Sequence, residues 1–165
     1  MVGPDGPLYP GTCRARTMAE AGPEDALRLN MARAVAGLRG LNLIETGPEH
    51  AGTHHVTPDD LIAQTGDIVL ARRDIGTSYH IAVVVDDAAQ GVNEVVRGAD
   101  LFPATPLHAL LQHLLDLPQP VWHHHRLIRD EAGKRLAKRC DARAIAAFRA
   151  EGATPADLRA MVGLA

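Results

Sequence analysis

The sequence predicts an α/β domain, and three observations carry that expectation. Apolar runs of strand length lie at residues 68–70, 81–85 and 92–96, each bounded by glycine or aspartate turn signals. Apolar residues recur at helical spacing before and after these runs. The run at 81–85, Ile-Ala-Val-Val-Val, does not alternate with polar residues, which is the pattern of a central strand covered by helices on both faces. In sheets of this kind, ligands gather in the loops at the carboxyl ends of the strands.

Taken in order, residues 1–10 are dense in glycine and proline and read as a loop entered from something upstream. Residues 23–41 place Ala26, Leu27, Met31, Val35 and Leu38 near helical spacing with Gly40 as a stop, which predicts one amphipathic helix. A short strand is expected over 41–45. The three apolar runs supply further strands. Thr105-Pro106 resembles a cap followed by proline at the first helical position, and Leu107, Leu110, Leu111, Leu114 and Leu115 then form one helical face ending before Pro118. A strand over 122–128, an alanine-rich helix around 141–151 and a short helix opened by Thr154-Pro155 complete the chain.

The 165 residues suffice for one hydrophobic core, and 46% apolar with 22% charged residues is ordinary globular usage. A formal charge of −3 lacks the footprint of bulk phosphate neutralisation, so any RNA contact must be local. Two separated cysteines, Cys13 and Cys140, make no disulfide framework, and no apolar run is long enough for a membrane span. A cytoplasmic setting, a monomer and no membrane partner are the expectation.

Arg97 and Gly98 close the strand at 92–96, where a guanidinium can clamp a carboxylate or phosphate; a surface salt bridge to Asp86, Asp87 or Asp100 is the plainer alternative. Tyr79 offers a phenol beside the most apolar run, either to orient a polar ligand or simply to pack. Residues 133–139, Gly-Lys-Arg-Leu-Ala-Lys-Arg, set cations after a glycine turn and could meet a triphosphate or only solvent. Tyr9 and Cys13 sit in a tight turn, but zinc needs about four ligands and no others here have zinc spacing. The histidines at 54–55 and 123–125 read as structural, since neighbours on a strand face opposite ways.

Together, Tyr9-Pro10-Gly11-Thr12-Cys13, Arg72-Arg73-Asp74, the block at 79–87, GVNEVVRGADL at 91–101 and KRLAK at 134–138 fall in the order of one family. The chain resembles the glutamyl-queuosine tRNA(Asp) synthetases, relatives of glutamyl-tRNA synthetase. The resemblance implies a partial class I Rossmann-type catalytic domain with a mostly parallel sheet and flanking helices. It makes residues 1–22 the remnant of a zinc-binding insertion and residues 23–165 the later half of the catalytic domain. It assigns L-glutamate binding to Tyr79 and Arg97, ATP contact to Lys138, and catalysis to Lys138 and Lys134 in a KMSKS-like loop, where Ala137 replaces a serine. Tyr9 and Cys13 match two of the family's four zinc ligands, the other two being expected upstream. ATP with magnesium and a tRNA(Asp) bearing queuosine are the implied substrates. A HIGH-type ATP motif is expected before residue 1, and His50 to His55 does not replace it. The end of the chain after the last helix leaves no anticodon-binding domain and favours the queuosine branch. Rival readings are a fragment of glutamyl-tRNA synthetase and a non-catalytic module that holds RNA or a partner.

Overall fold

The computed structural model describes residues 2–3, 6–130, 132–136 and 143–164. It falls into two compact units, residues 1–125 and 126–165.

In the first unit, a small hairpin of β1 (Val2–Gly3) and β2 (Gly6–Pro7) precedes β3 (Leu27–Arg28) and the single turn α1 (Met31–Ala34). The helix expected over 23–41 is therefore confined to one turn. Asn30 caps that turn by accepting from Arg33 N–H, and the chain before it is drawn into a strand pairing instead. β4 (Leu41–Glu45) forms as expected, with Leu41, Leu43 and Glu45 turned inward and Asn42 and Ile44 outward. It runs antiparallel to β5 (Gly52–Val56), a partner that the histidine-rich sequence concealed. The short helix α2 (Pro58–Asp60) carries a Thr57–Asp60 capping box and passes into a wide turn over Leu61–Thr65. The apolar run at 68–70 becomes β6 (Val69–Ala71), which pairs with β3 outside the main sheet.

The largest correction concerns 81–85. It is not a central strand but the middle of helix α3 (Tyr79–Ala89). β-Branched residues lower helix propensity only slightly, and here tertiary packing decides. His80 and Val84, four apart, are buried on one face, with Ile81 and Val83 packed against the core. The helix stops at Gly91, φ +70°, where Val92 N–H reaches the Asp87 carbonyl and Gly91 N–H the Ala88 carbonyl, the paired bonds of a Schellman ending.

β7 (Glu94–Gly98) follows, then a 3₁₀ turn over Ala99–Ala104, helix α4 (Thr105–Leu114) and β8 (Val121–His125). The main sheet has the order β5-β4-β8-β7. Both β4/β8 and β7/β8 are parallel, so the sheet is mostly parallel and the α/β expectation holds. Thr105 is the first residue of α4 rather than its cap. α4 is buried nearly all round, and Leu107, Leu110 and Leu111 join Trp122, Leu43 and Met31 in the core.

In the second unit, residues 128–136 fold back through Gly133, φ +77°, with Arg129 bridging Arg135. α5 (Ile145–Ala150) and α6 (Pro155–Met161) follow, the latter opened by a Thr154–Asp157 capping box. Residues 141 and 142, where the first of these helices was expected to begin, lie outside the described residues.

Candidate functional site

Parallel β7 and β8 place Arg97 opposite His124, so both side chains share the sheet face on which the buried residues of β8 lie. Three groups hold the guanidinium. Its Nε–H donates to His124 Nε2 at 2.9 Å, Nη1 to His108 Nδ1 at 3.1 Å, and Nη2 to Thr105 Oγ1 at 2.8 Å. His108 and Thr105 come from α4, where both are almost fully buried.

A guanidinium can only donate, so both imidazole nitrogens facing it must accept. That fixes the tautomers. His124 carries its proton on Nδ1 and donates it to Glu45 Oε2 at 2.5 Å, while His108 carries its proton on Nε2 and donates it to His80 Nδ1 at 2.9 Å. The outcome is a buried relay from Glu45 through His124, Arg97 and His108 to His80. Glu45 Oε1 also accepts from His124 N–H at 2.8 Å and from Gly47 N–H at 2.6 Å. Position 47 tolerates no side chain, because a Cβ there would run into the His124 backbone and the Glu45 carboxylate.

The electrostatics follow the same pattern. Burial, reinforced by the Arg97 cation, pushes His108 down to about 3. Burial also lowers His124, against the opposing pull of Glu45. Burial alone would raise the Glu45 carboxyl, but the His124 amide and ring and the Gly47 amide together hold it below the usual carboxylate range. Burial depresses Arg97 as well, while the neighbouring Tyr79 phenol supports its charge. Asp87, weighed above as a salt-bridge partner, acts on Arg97 only through space. Each Nη nitrogen has a second hydrogen, and the bonded partners of this cation are neutral. Such a group can receive a carboxylate or phosphate.

Tyr79, the first residue of α3, is 55% exposed, with its ring 5.9 Å from His108 and 5.6 Å from His80. It opens a helix rather than a strand, and the partial positive charge of that helix end adds to the pull on an anion. Phe102 closes the opposite side, edge-on to His124 at 5.3 Å and stacked beneath His50 at 3.8 Å. Thus the structure brings Tyr79 and Arg97 together, and Glu45, His80, His108 and His124 join them unannounced. One signal was available: Glu45 is a charged residue at an inward position of an alternating strand, and such residues are buried only with partners.

In the second unit, Lys134 is exposed on the hairpin, its amide bonded to Asp130 Oδ1 at 2.8 Å. Lys138 and Ala137 lie outside the described residues. This unit has its own cleft of about 930 Å³, lined by Ile128, Leu136, Phe148 and Met161 among others.

Residues 51–165 match the family described as tRNA synthetases class I (E and Q), catalytic domain. The chain belongs to this family. Among its curated relatives, the glutamyl-Q tRNA(Asp) synthetase of Rhodobacter capsulatus is 57% identical over 99% of this chain and 59% of its own length. Those of Methylococcus capsulatus and Nocardia farcinica are 41% and 39% identical over 85% and 96% of this chain, and 43% and 49% of their own lengths. The chain therefore spans roughly half the length of the relatives it matches. The crystal structure of glutamate-tRNA synthetase from Elizabethkingia anophelis shares the fold, with a TM-score of 0.52 and 24% identity over 80% of this chain and 27% of its own.

Tyr9 and Cys13, the two residues matched to zinc ligands, lie close together in a turn. Cys13 N–H donates to the Tyr9 hydroxyl at 2.6 Å, and the Arg28 guanidinium lies 4.4 Å from the Tyr9 ring centre. Among the described residues, no three histidine, cysteine, aspartate or glutamate side chains are grouped to hold a metal. Nor is any described helix long and apolar enough to cross a membrane.

Proposed function

We propose that the chain carries the amino-acid-binding part of a glutamyl-queuosine tRNA(Asp) synthetase. Arg97 receives a carboxylate of L-glutamate, and the Tyr79 hydroxyl orients the same ligand. The observation that carries this reading is a half-buried guanidinium, at the carboxyl end of a parallel strand, whose bonded partners are neutral. The names of the curated relatives support glutamate and queuosine-bearing tRNA(Asp) as substrates.

In this reading the glutamate carboxylate attacks the α-phosphorus of ATP, the bond to pyrophosphate breaks, and glutamyl-adenylate forms. A queuosine hydroxyl then attacks the activated carbonyl and AMP leaves. Lys138 and Lys134 stabilise the negative charge that builds on the pyrophosphate, with ATP bound as its magnesium complex. Positioning and charge supply most of the catalysis in such a displacement.

The test joins the chain to the part of the Rhodobacter capsulatus relative that it does not cover and measures L-glutamate-dependent ATP–pyrophosphate exchange. Exchange that is lost in Arg97→Ala, followed by glutamylation of queuosine-bearing tRNA(Asp), supports the reading. Charging of tRNA(Glu) instead would transfer it to the glutamyl-tRNA synthetase branch, and no exchange would reject it.

A further inference from the structure

We propose that His108, oriented by His80, is a positioning residue that turns the Arg97 guanidinium toward a carboxylate ligand without neutralising it. This rests on the carboxylate reading of Arg97.

The geometry supplies the argument. A free arginine side chain loses up to about 2 kcal/mol of rotamer entropy when it is ordered. Arg97 is ordered in advance, because each of its three nitrogens meets an acceptor: His124 on Nε, His108 on Nη1 and Thr105 on Nη2. His124 is in turn held by Glu45, and His108 by His80. An aspartate or glutamate at position 108 could fix the guanidinium equally well, but it would pair with the charge and compete with the ligand. An imidazole accepts the bond and stays neutral. His108 is 3% exposed and has no route to an incoming substrate except through Arg97 and its neighbours, so its effect is indirect.

The experiment uses the 165-residue chain and three variants, His108→Phe, His108→Gln and His108→Glu. The Arg97 Nη1–H signals are followed by NMR for their exchange with water, and L-glutamate is then titrated. The phenyl ring removes the acceptor of Nη1, so Nη1–H exchange should accelerate and glutamate affinity should fall by about tenfold, the scale of one hydrogen bond to a charged group. The Gln carbonyl should restore both. The Glu variant should keep Nη1–H exchange slow yet weaken glutamate binding. That split separates positioning from simple structural support.

Wild-type exchange rates and affinity in the Phe variant would overturn the proposal. Should the Phe variant fail to fold, the Gln and Glu variants decide: equal glutamate affinity in the two would overturn it. If the wild-type chain shows no response to L-glutamate, the glutamate reading fails, while Nη1–H exchange in the Phe and Gln variants still decides whether His108 positions Arg97.

Discussion

Arg14 and Arg97 both reach buried partners, but they find opposite kinds. Arg14 places Nε and Nη2 on Asp67 Oδ2 at 2.9 and 2.6 Å, and the other oxygen of that carboxylate accepts from Met31 N–H at 2.8 Å. Charge meets charge, and the start of α1 is pinned to the segment before β6. Arg97 meets two imidazoles and a hydroxyl, and its charge is left over. The first arrangement is complete without a ligand. The second orders a cation to which no carboxylate is directly bonded, which is what a binding site for an anion needs.

Breaking the second region should have the largest effect. Arg97→Ala should weaken L-glutamate binding by about a hundredfold or more, on the scale of truncating one member of a buried charge pair. Arg97→Lys should rescue little of it, because an ammonium cannot serve both imidazoles and Thr105 from one plane. Calorimetric titration of the two variants checks this. Full affinity in Arg97→Lys would mean that charge alone suffices and the fork geometry is irrelevant.

Glu45→Ala comes next. It strands the buried amides of Gly47 and His124 and the Nδ1–H of His124, and should cost about 3 kcal/mol in urea unfolding. A loss below about 1 kcal/mol would show that water replaces the carboxylate there. Asp67→Ala in the first region should cost about 2 kcal/mol by the same measurement.

How far this contrast was legible beforehand differs between its parts. Arg97 and Tyr79 were singled out by the family resemblance, since position alone left a surface salt bridge for the one and simple packing for the other as the plainer readings. Lys138 stood out too, though the structure describes nothing of it. The relay was hidden, since its members lie at positions 45, 80, 108 and 124 and only the parallel register of β7 and β8 sets His124 beside Arg97. The reading of 81–85 as a strand failed for a general reason: a short apolar run has no period long enough to distinguish a buried strand from one face of a buried helix. Gly91 as a helix ending and Ala88-Ala89 as helix formers were the available counter-signals. β5 was masked by Gly52, Thr53, His54 and His55, whose pairing with β4 is mainly a backbone matter.

The neutral histidines give the relay a pH signature. His108 is lowered from its ordinary 6.5 to about 3 in the folded state. Between those values the unfolded chain binds the proton and the folded chain does not, so stability is full above the upper value and falls as pH drops toward the lower one. The slope is about 1.4 kcal/mol per pH unit for each such histidine. His124 shifts in the same direction and adds to it. His108→Gln should therefore unfold with a shallower pH dependence across this window than the wild-type chain, and an unchanged slope would mean that position 108 is solvated.

The smallest effect sharpens the comparison most. The Arg14 side chain is 48% exposed while that of Asp67 is 5% exposed, so the two halves of this pair are not equivalent. Removing the arginine opens the carboxylate to water on that side, and Asp67 keeps its bond to Met31 N–H. Arg14→Ala should therefore cost less than about 1 kcal/mol, the range of exposed ion pairs, and lose even that difference at high salt. Removing Asp67 takes away the buried anchor itself. If Arg14→Ala proved as damaging as Asp67→Ala, the Arg14 charge would be integral to the fold, and the distinction between a saturated arginine and one held ready for a ligand would lose its thermodynamic footing.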